Sequence, residues 1–155
     1  MFSILIAATV GAGLVTGLLF AFSNFVMRAL ADLPREHGML AMQRINVRII
    51  NPIFVFLFLG TPLLCVLIVI HTLRSLELSE NWPALLGSLC YLLGPFGVTM
   101  LFNVPLNNRL AEADVTEADA IWTDYQLRWQ RWNHLRTCIG VVAVALLASG
   151  IARGM

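Results

Sequence analysis

Lysine is absent from the 155 residues, and charge of either sign is scarce. Charged residues make up 12% of the chain and the formal net charge is +1, so there is no basic stripe to follow a nucleic-acid backbone. The complete lack of lysine itself has no physical account. Cys65, Cys90 and Cys138 stand alone in apolar surroundings with no paired spacing. That removes a disulfide framework and a thiolate metal centre, and leaves them as small buried hydrophobes. No repeat, low-complexity tract or flexible linker divides the sequence, so residues 1–155 are expected to form a single domain.

What the chain has in quantity is uninterrupted apolar length. Hydrophobic residues reach 59% and the mean hydropathy is +0.80, whereas a soluble domain is roughly half apolar. A hydrocarbon core about 30 Å thick asks for about 20 apolar residues per helix. Four windows qualify: Phe2 to Met27, Pro52 to Leu73, Pro83 to Phe102 and Leu135 to Ala152. The first is longer than a signal peptide's ~7–15-residue apolar region and has no basic residue ahead of it, so it is expected to be retained. The fourth begins beside Arg136, which can snorkel from the first turn. His71 and His134 belong near opposite membrane faces and cannot share a metal ion, so no metal site is expected.

The expected fold is therefore an all-α integral membrane protein. It is a four-transmembrane-helix bundle with an interfacial amphipathic helix between spans one and two and a long helix leading into span four. Arg28, Arg35, Arg44 and Arg48 lie in the first connector and Arg109, Arg128 and Arg131 in the third, against Arg74 and Arg153 on the other side. By the positive-inside rule, connectors 28–51 and 103–134 face the cytoplasm, both termini lie outside, and the host is the cytoplasmic (plasma or inner) membrane. The lipid bilayer is the first partner; a homo-oligomer stays open.

Within the spans, Gly11, Gly13 and Gly17 form a small-residue patch. Gly13 and Gly17 have the spacing that lets helix backbones approach, here for packing inside the bundle. Ser23 and Asn24 are placed for cross-helix hydrogen bonds. Pro62 and Pro95 interrupt spans two and three and should bend them, leaving room for a cavity. In the first connector, residues from about Arg35 to Ile50 read as a helix: Met39, Met42, Gln43, Asn46 and Ile50 share one face, His37, Arg44 and Arg48 the opposite one. Asn51-Pro52 is a strong helix start, so Asn51 is first a cap and only second a ligand contact.

Span three ends in Phe102-Asn103-Val104-Pro105-Leu106-Asn107-Asn108. If the helix continues through Pro105, Asn103 and Asn107 lie about 40° apart and aim two amides at one volume. A polar turn around Asp114 to Glu117, with Thr116 and Asp119 as start signals, precedes the long fourth helix. On that helix Trp122, Tyr125, Trp129, Trp132, Asn133 and Arg136 fall within about 100° of one another. An aromatic stripe alone is ordinary packing or an interfacial belt. Arg136 on the same face is not, because no acid within the spans can neutralise it. Its partners must be amides, carbonyls, water or an anionic ligand. His134 lies about 140° from Trp129, off the stripe.

The elements Phe20-Ala21-Phe22-Ser23, Met42-Gln43-Arg44-Ile45-Asn46 with Asn51-Pro52, Phe102 through Asn107, and Trp129 through Thr137 resemble the anthrone-oxygenase-like family of small four-span membrane proteins. The likeness covers nearly the whole chain. It implies oxidation of an anthrone, or a related apolar phenolic compound, to a quinone by molecular oxygen as co-substrate and without a cofactor. It further implies a slot walled by Trp129, Trp132, Met39 and Met42, with Gln43 and Asn51 beside the substrate. Asn46, Asn103, Asn107, Asn133 and Arg136 would be donors for the developing oxyanion, and His134 a candidate base. Two other classes compete. A binding or transport protein for a small apolar or anionic compound would use the same amide-lined mouth. A structural membrane subunit would use the asparagines only to tie its connectors, which explains Asn51 better than Arg136.

Overall fold

The computed structural model describes residues 1–75, 78–114 and 118–154. They form helices α1 (Phe2–Ala31), α2 (Arg35–Ile49), α3 (Pro52–Ser75), α4 (Leu78–Ala111) and α5 (Ala118–Ala152). No strand occurs among the described residues. All but α2 are long and apolar enough to cross a membrane, as the hydropathy pattern requires. The start signal read at Thr116 lies outside the described residues.

The helices outrun the apolar windows. α4 begins at Leu78 rather than Pro83 and ends at Ala111 rather than Phe102. Hydropathy marks only the stretch that lipid tails surround, while intrahelical hydrogen bonding carries a helix onward into the interface until a stop such as Pro34. The four spans pack in the cyclic order α1, α3, α4, α5, each against its chain neighbours, with α5 closing on α1. α2 lies across the connector end, on the ends of α1 and α4 and the start of α5.

Two apolar cores result. One, on the side of the termini, contains Leu5, Ala12, Cys65, Ile68, Tyr91 and Leu147. The other, under α2, contains Met27, Met39, Met42, Leu110, Trp122 and Trp129. α1 and α3 touch where Gly11 meets Thr61, so closely that a methyl group on Gly11 would collide with the threonine side chain. Gly13 and Gly17, read as the packing pair, have nothing within 4 Å of where a Cβ would stand. Two residues turn a helix by about 200°, so the pair faces away from the contact that Gly11 makes.

Beyond that contact α3 stands off. No residue from Pro52 to Gly60 is buried, whereas Thr61, Pro62, Cys65, Ile68 and Thr72 all are. α4 is wound as a π-helix over Leu92–Asn103, with Val104 N–H donating to Thr99 O. Two carbonyls lose their usual α-helical donors because Pro95 and Pro105 have no N–H: Tyr91, just before this stretch, and Leu101, within its last turn. The helix then continues through Pro105 to Ala111. A second π turn, Phe22–Val26, occurs in α1.

α2 presents the faces its periodicity predicts, with one exception. Met39 and Met42 are buried, Gln43 and Asn46 half-buried, and His37, Arg44 and Arg48 exposed. Ile50 falls one residue beyond the helix end and is 72% exposed, because the chain turns there toward α3.

Candidate functional site

Between the two cores lies a layer of hydrogen-bonding groups built on α5. The three- and four-residue steps from Trp122 through Tyr125, Trp129 and Asn133 to Arg136 keep one face of the helix turned inward, and all five are buried. Arg136 is 5% exposed and has no carboxylate partner among the described residues. Its Nε and Nη2 both donate to Asn133 Oδ1, at 3.0 and 2.7 Å, and Nη1 donates to Thr99 Oγ1 at 2.8 Å. The guanidinium carbon stands 5.0 Å from the centre of the Trp129 ring, a cation–π distance. The remaining N–H bonds of Nη1 and Nη2 have no protein acceptor among the described residues.

Asn133 is held in turn. Its Nδ2 donates to Leu19 O at 2.9 Å and to Ser23 Oγ at 2.7 Å, at the π turn of α1. Ser23 Oγ also lies 3.1 Å from Thr137 Oγ1. One amide therefore orients the guanidinium and locks α1 to α5.

The other asparagines gather around the stripe. Asn107 Oδ1 accepts from Tyr125 Oη at 2.8 Å and Trp129 Nε1 at 2.9 Å. Asn103 donates to Trp129 O at 3.3 Å, and its buried Oδ1 has no partner among the described residues. Both amides thus converge on Trp129, one at its indole and one at its carbonyl. Asn46 approaches the Tyr125 hydroxyl without completing a hydrogen bond, so its buried Nδ2 is left unpartnered. Such a group costs free energy unless water or a ligand meets it.

The space left by α3 is a cavity of about 660 Å³, within the range of roughly 300–1,000 Å³ typical of small-molecule sites. Arg136, Thr99, Asn107, Asn108, Asn46 and Gln43 supply its polar groups. Its walls are apolar, among them Phe22, Phe54, Phe58, Met42 and Trp129. None of the described residues lining it is an Asp, Glu or His.

Of the residues singled out from sequence, Arg136, Trp129, Asn107, Asn46, Gln43 and Met42 meet at this cavity. Asn133 and Asn103 are fully buried just behind it, and Met39 is buried in the connector-side core. Trp132 is half-buried and stacks on Phe102 with ring centres 3.8 Å apart, away from the cavity. His134 is exposed, as its helical phase predicts. Asn51 is an exposed cap: its Oδ1 accepts from Phe54 N at 3.0 Å and its Nδ2 donates to Arg48 O and Ile49 O. Thr99, Ser23 and Tyr125 were not picked out as site residues. Thr99 continues the four-residue row of Asn103 and Asn107 backwards, which was the available signal.

The class so defined is a four-helix membrane protein enclosing an apolar cavity with a cationic head. The chain belongs to the anthrone oxygenase family, whose model matches residues 53–146, the stretch that carries α3, α4 and most of α5. Arg136, Asn133, Asn107 and Thr99 lie inside that stretch, and Gln43 and Asn46 before it. Comparison with curated proteins and with solved structures finds no match. Membership supports a membrane oxygenase-like function.

Proposed function

We propose that this protein oxidises an anthrone-type or related apolar phenolic compound with molecular oxygen, the flat substrate lying in the 660 Å³ cavity with an oxygen directed at Arg136. The observation that carries the reading is a buried guanidinium with no acid partner among the described residues, facing an apolar chamber of ligand size. A cation in that position favours an anion over its neutral parent. An anthrone becomes such an anion by losing a proton from its central methylene, since the charge then spreads onto oxygen and the middle ring becomes aromatic.

The reaction balances without a metal or organic cofactor. The carbanion gives an electron to oxygen, the two radicals recombine as a carbon-bound peroxide anion, and a proton taken back from water makes it a hydroperoxide, which loses water to leave a second carbonyl. Anthrone and oxygen become quinone and water. Arg136 stabilises the oxyanion, Asn133 and Thr99 position Arg136 by accepting its hydrogen bonds, and Trp129 with Phe54 and Phe58 provides the slot. Among the described residues no acid or histidine lines the cavity to serve as base. The guanidinium lowers the cost of ionisation, and the proton leaves to water at the connector end. The arginine-rich connectors face the cytoplasm in this reading.

The test is oxygen uptake by purified protein in detergent with a panel of hydroxylated anthrones. Arg136→Ala is expected to lower turnover by about 10²–10³-fold, the usual cost of removing an oxyanion donor. Absence of any acceleration over empty micelles across the panel would refute the reading.

A further inference from the structure

The cavity is closed differently at its two openings. At the connector end α2 lies over it: Met42 is buried, and Gln43 Nε2 donates to Leu110 O at 2.7 Å and Ala113 O at 3.3 Å. Hydrogen bonds thus tie α2 to the end of α4 on the watery side. Between the first half of α3 and the π-wound part of α4, no side-chain hydrogen bond bridges the gap among the described residues. Val55, Leu59 and Met100 line the cavity there and are at the same time 36%, 54% and 46% exposed. Phe58 against Phe96, ring centres 5.4 Å apart, forms the floor of this gap. The neighbouring outer surface is apolar too, with Phe56 and Leu101 exposed on α3 and α4. Both helices are membrane spans, so this opening faces lipid tails.

We propose that the cavity is loaded sideways from the bilayer, through a portal between α3 and α4 framed by Val55, Leu59 and Met100, by a lipophilic molecule already dissolved in the membrane. A flat apolar compound concentrates in the hydrocarbon, and passage through an apolar frame never exposes it to water. Access past Gln43 would require rehydrating its apolar surface, at about 25 cal/mol per Å², and breaking the latch. Oxygen, itself apolar, reaches the same chamber by the same route. This rests on the reading of the cavity as a small-molecule site, though not on any reaction occurring there.

The experiment uses the full chain in lipid vesicles, with a brominated polycyclic hydrocarbon in the bilayer as quencher of tryptophan emission. That probe has no hydrogen-bonding group and cannot be turned over. Trp129 lines the cavity, whereas Trp82, Trp122 and Trp132 do not, so the difference from Trp129→Phe gives the share of the cavity. Val55→Cys and Met100→Cys are introduced after Cys90 and Cys138 are replaced by alanine, and the new thiols are bridged with a cleavable bis-maleimide. Quenching of the Trp129 share is expected, with its loss on bridging and its return on cleavage. Unchanged quenching after bridging overturns the portal. So does a Trp129 share that iodide in water quenches and the bilayer probe does not, a comparison that needs no cysteine variant. Failure of anthrone oxidation leaves a positive result intact, and active oxidation with a silent probe removes the portal alone.

Discussion

Replacing Asn133 by leucine, of the same branched shape though larger, removes the acceptor of two of the three hydrogen bonds that hold the buried guanidinium. Asn133 Oδ1 takes two charge-assisted hydrogen bonds from Arg136, and Nδ2 makes two neutral ones to α1. Hydrogen bonds to charged groups contribute about 1.5–3 kcal/mol each, while neutral ones within membrane bundles average about 0.6 kcal/mol. Because Arg136 borders the cavity, water reaches part of it and the full sum does not apply. The expected loss is about 3 kcal/mol, a large share of a total stability of roughly 5–15 kcal/mol. The double variant Asn133→Leu with Arg136→Met removes the charge along with its acceptor, and is expected to recover about 2 kcal/mol of that loss. Reversible unfolding by increasing dodecyl sulfate in mixed micelles, followed by tryptophan emission, measures both, provided the transition is two-state. If Asn133→Leu costs no more than an ordinary neutral bond, or the double variant is as unstable as the sum of the singles, the guanidinium does not rely on Asn133 for its hydrogen bonding and the argument fails.

Two further outcomes follow from packing. Gly11→Val should destabilise by about 1–3 kcal/mol through overpacking against Thr61, while Gly13→Ala and Gly17→Ala, which meet open space, should be neutral or slightly stabilising; the same micelle titration separates them. Asn51→Ala should cost about 1 kcal/mol as a lost N-cap and leave the affinity for a hydroxylated anthraquinone, measured by tryptophan quenching, unchanged. A marked fall in affinity would assign Asn51 to the ligand after all.

How much could be read in advance depended on whether a feature was local and regular. The spans show themselves by apolar length, and α2 and the inward face of α5 repeat at the α-helical period, so counting residues was enough to group Trp129, Asn133 and Arg136 and to set His134 apart. The cap at Asn51 needed only the Asn-Pro pair. Trp132 lies at the edge of the stripe, and whether an edge residue turns in or out is settled by its neighbour, here Phe102 on another helix. The glycine pair was chosen by spacing, but the partner helix decides which glycine is approached. Thr99 lay on the four-residue row of Asn103 and Asn107, but a threonine inside an apolar span gives no sign of a partner until Arg136 on another helix is placed beside it. The cavity depends on α3 standing off before Thr61, over Pro52 to Gly60, a matter of how four helices share one interior, which no single segment encodes.

The wider coil between Tyr91 and Val104 also acts as a phase setter. Each turn closed from residue to fifth residue takes in one more position than an ordinary turn, so the aim of the groups beyond depends on this stretch keeping both its winding and its length; suppose it lost one amino acid and stayed wound as it is. Everything beyond it would swing by about 100°, carrying Asn107 off the indole it now steadies. In relatives, the number of residues separating the prolines that correspond to Pro95 and Pro105 should therefore vary less than the residues themselves.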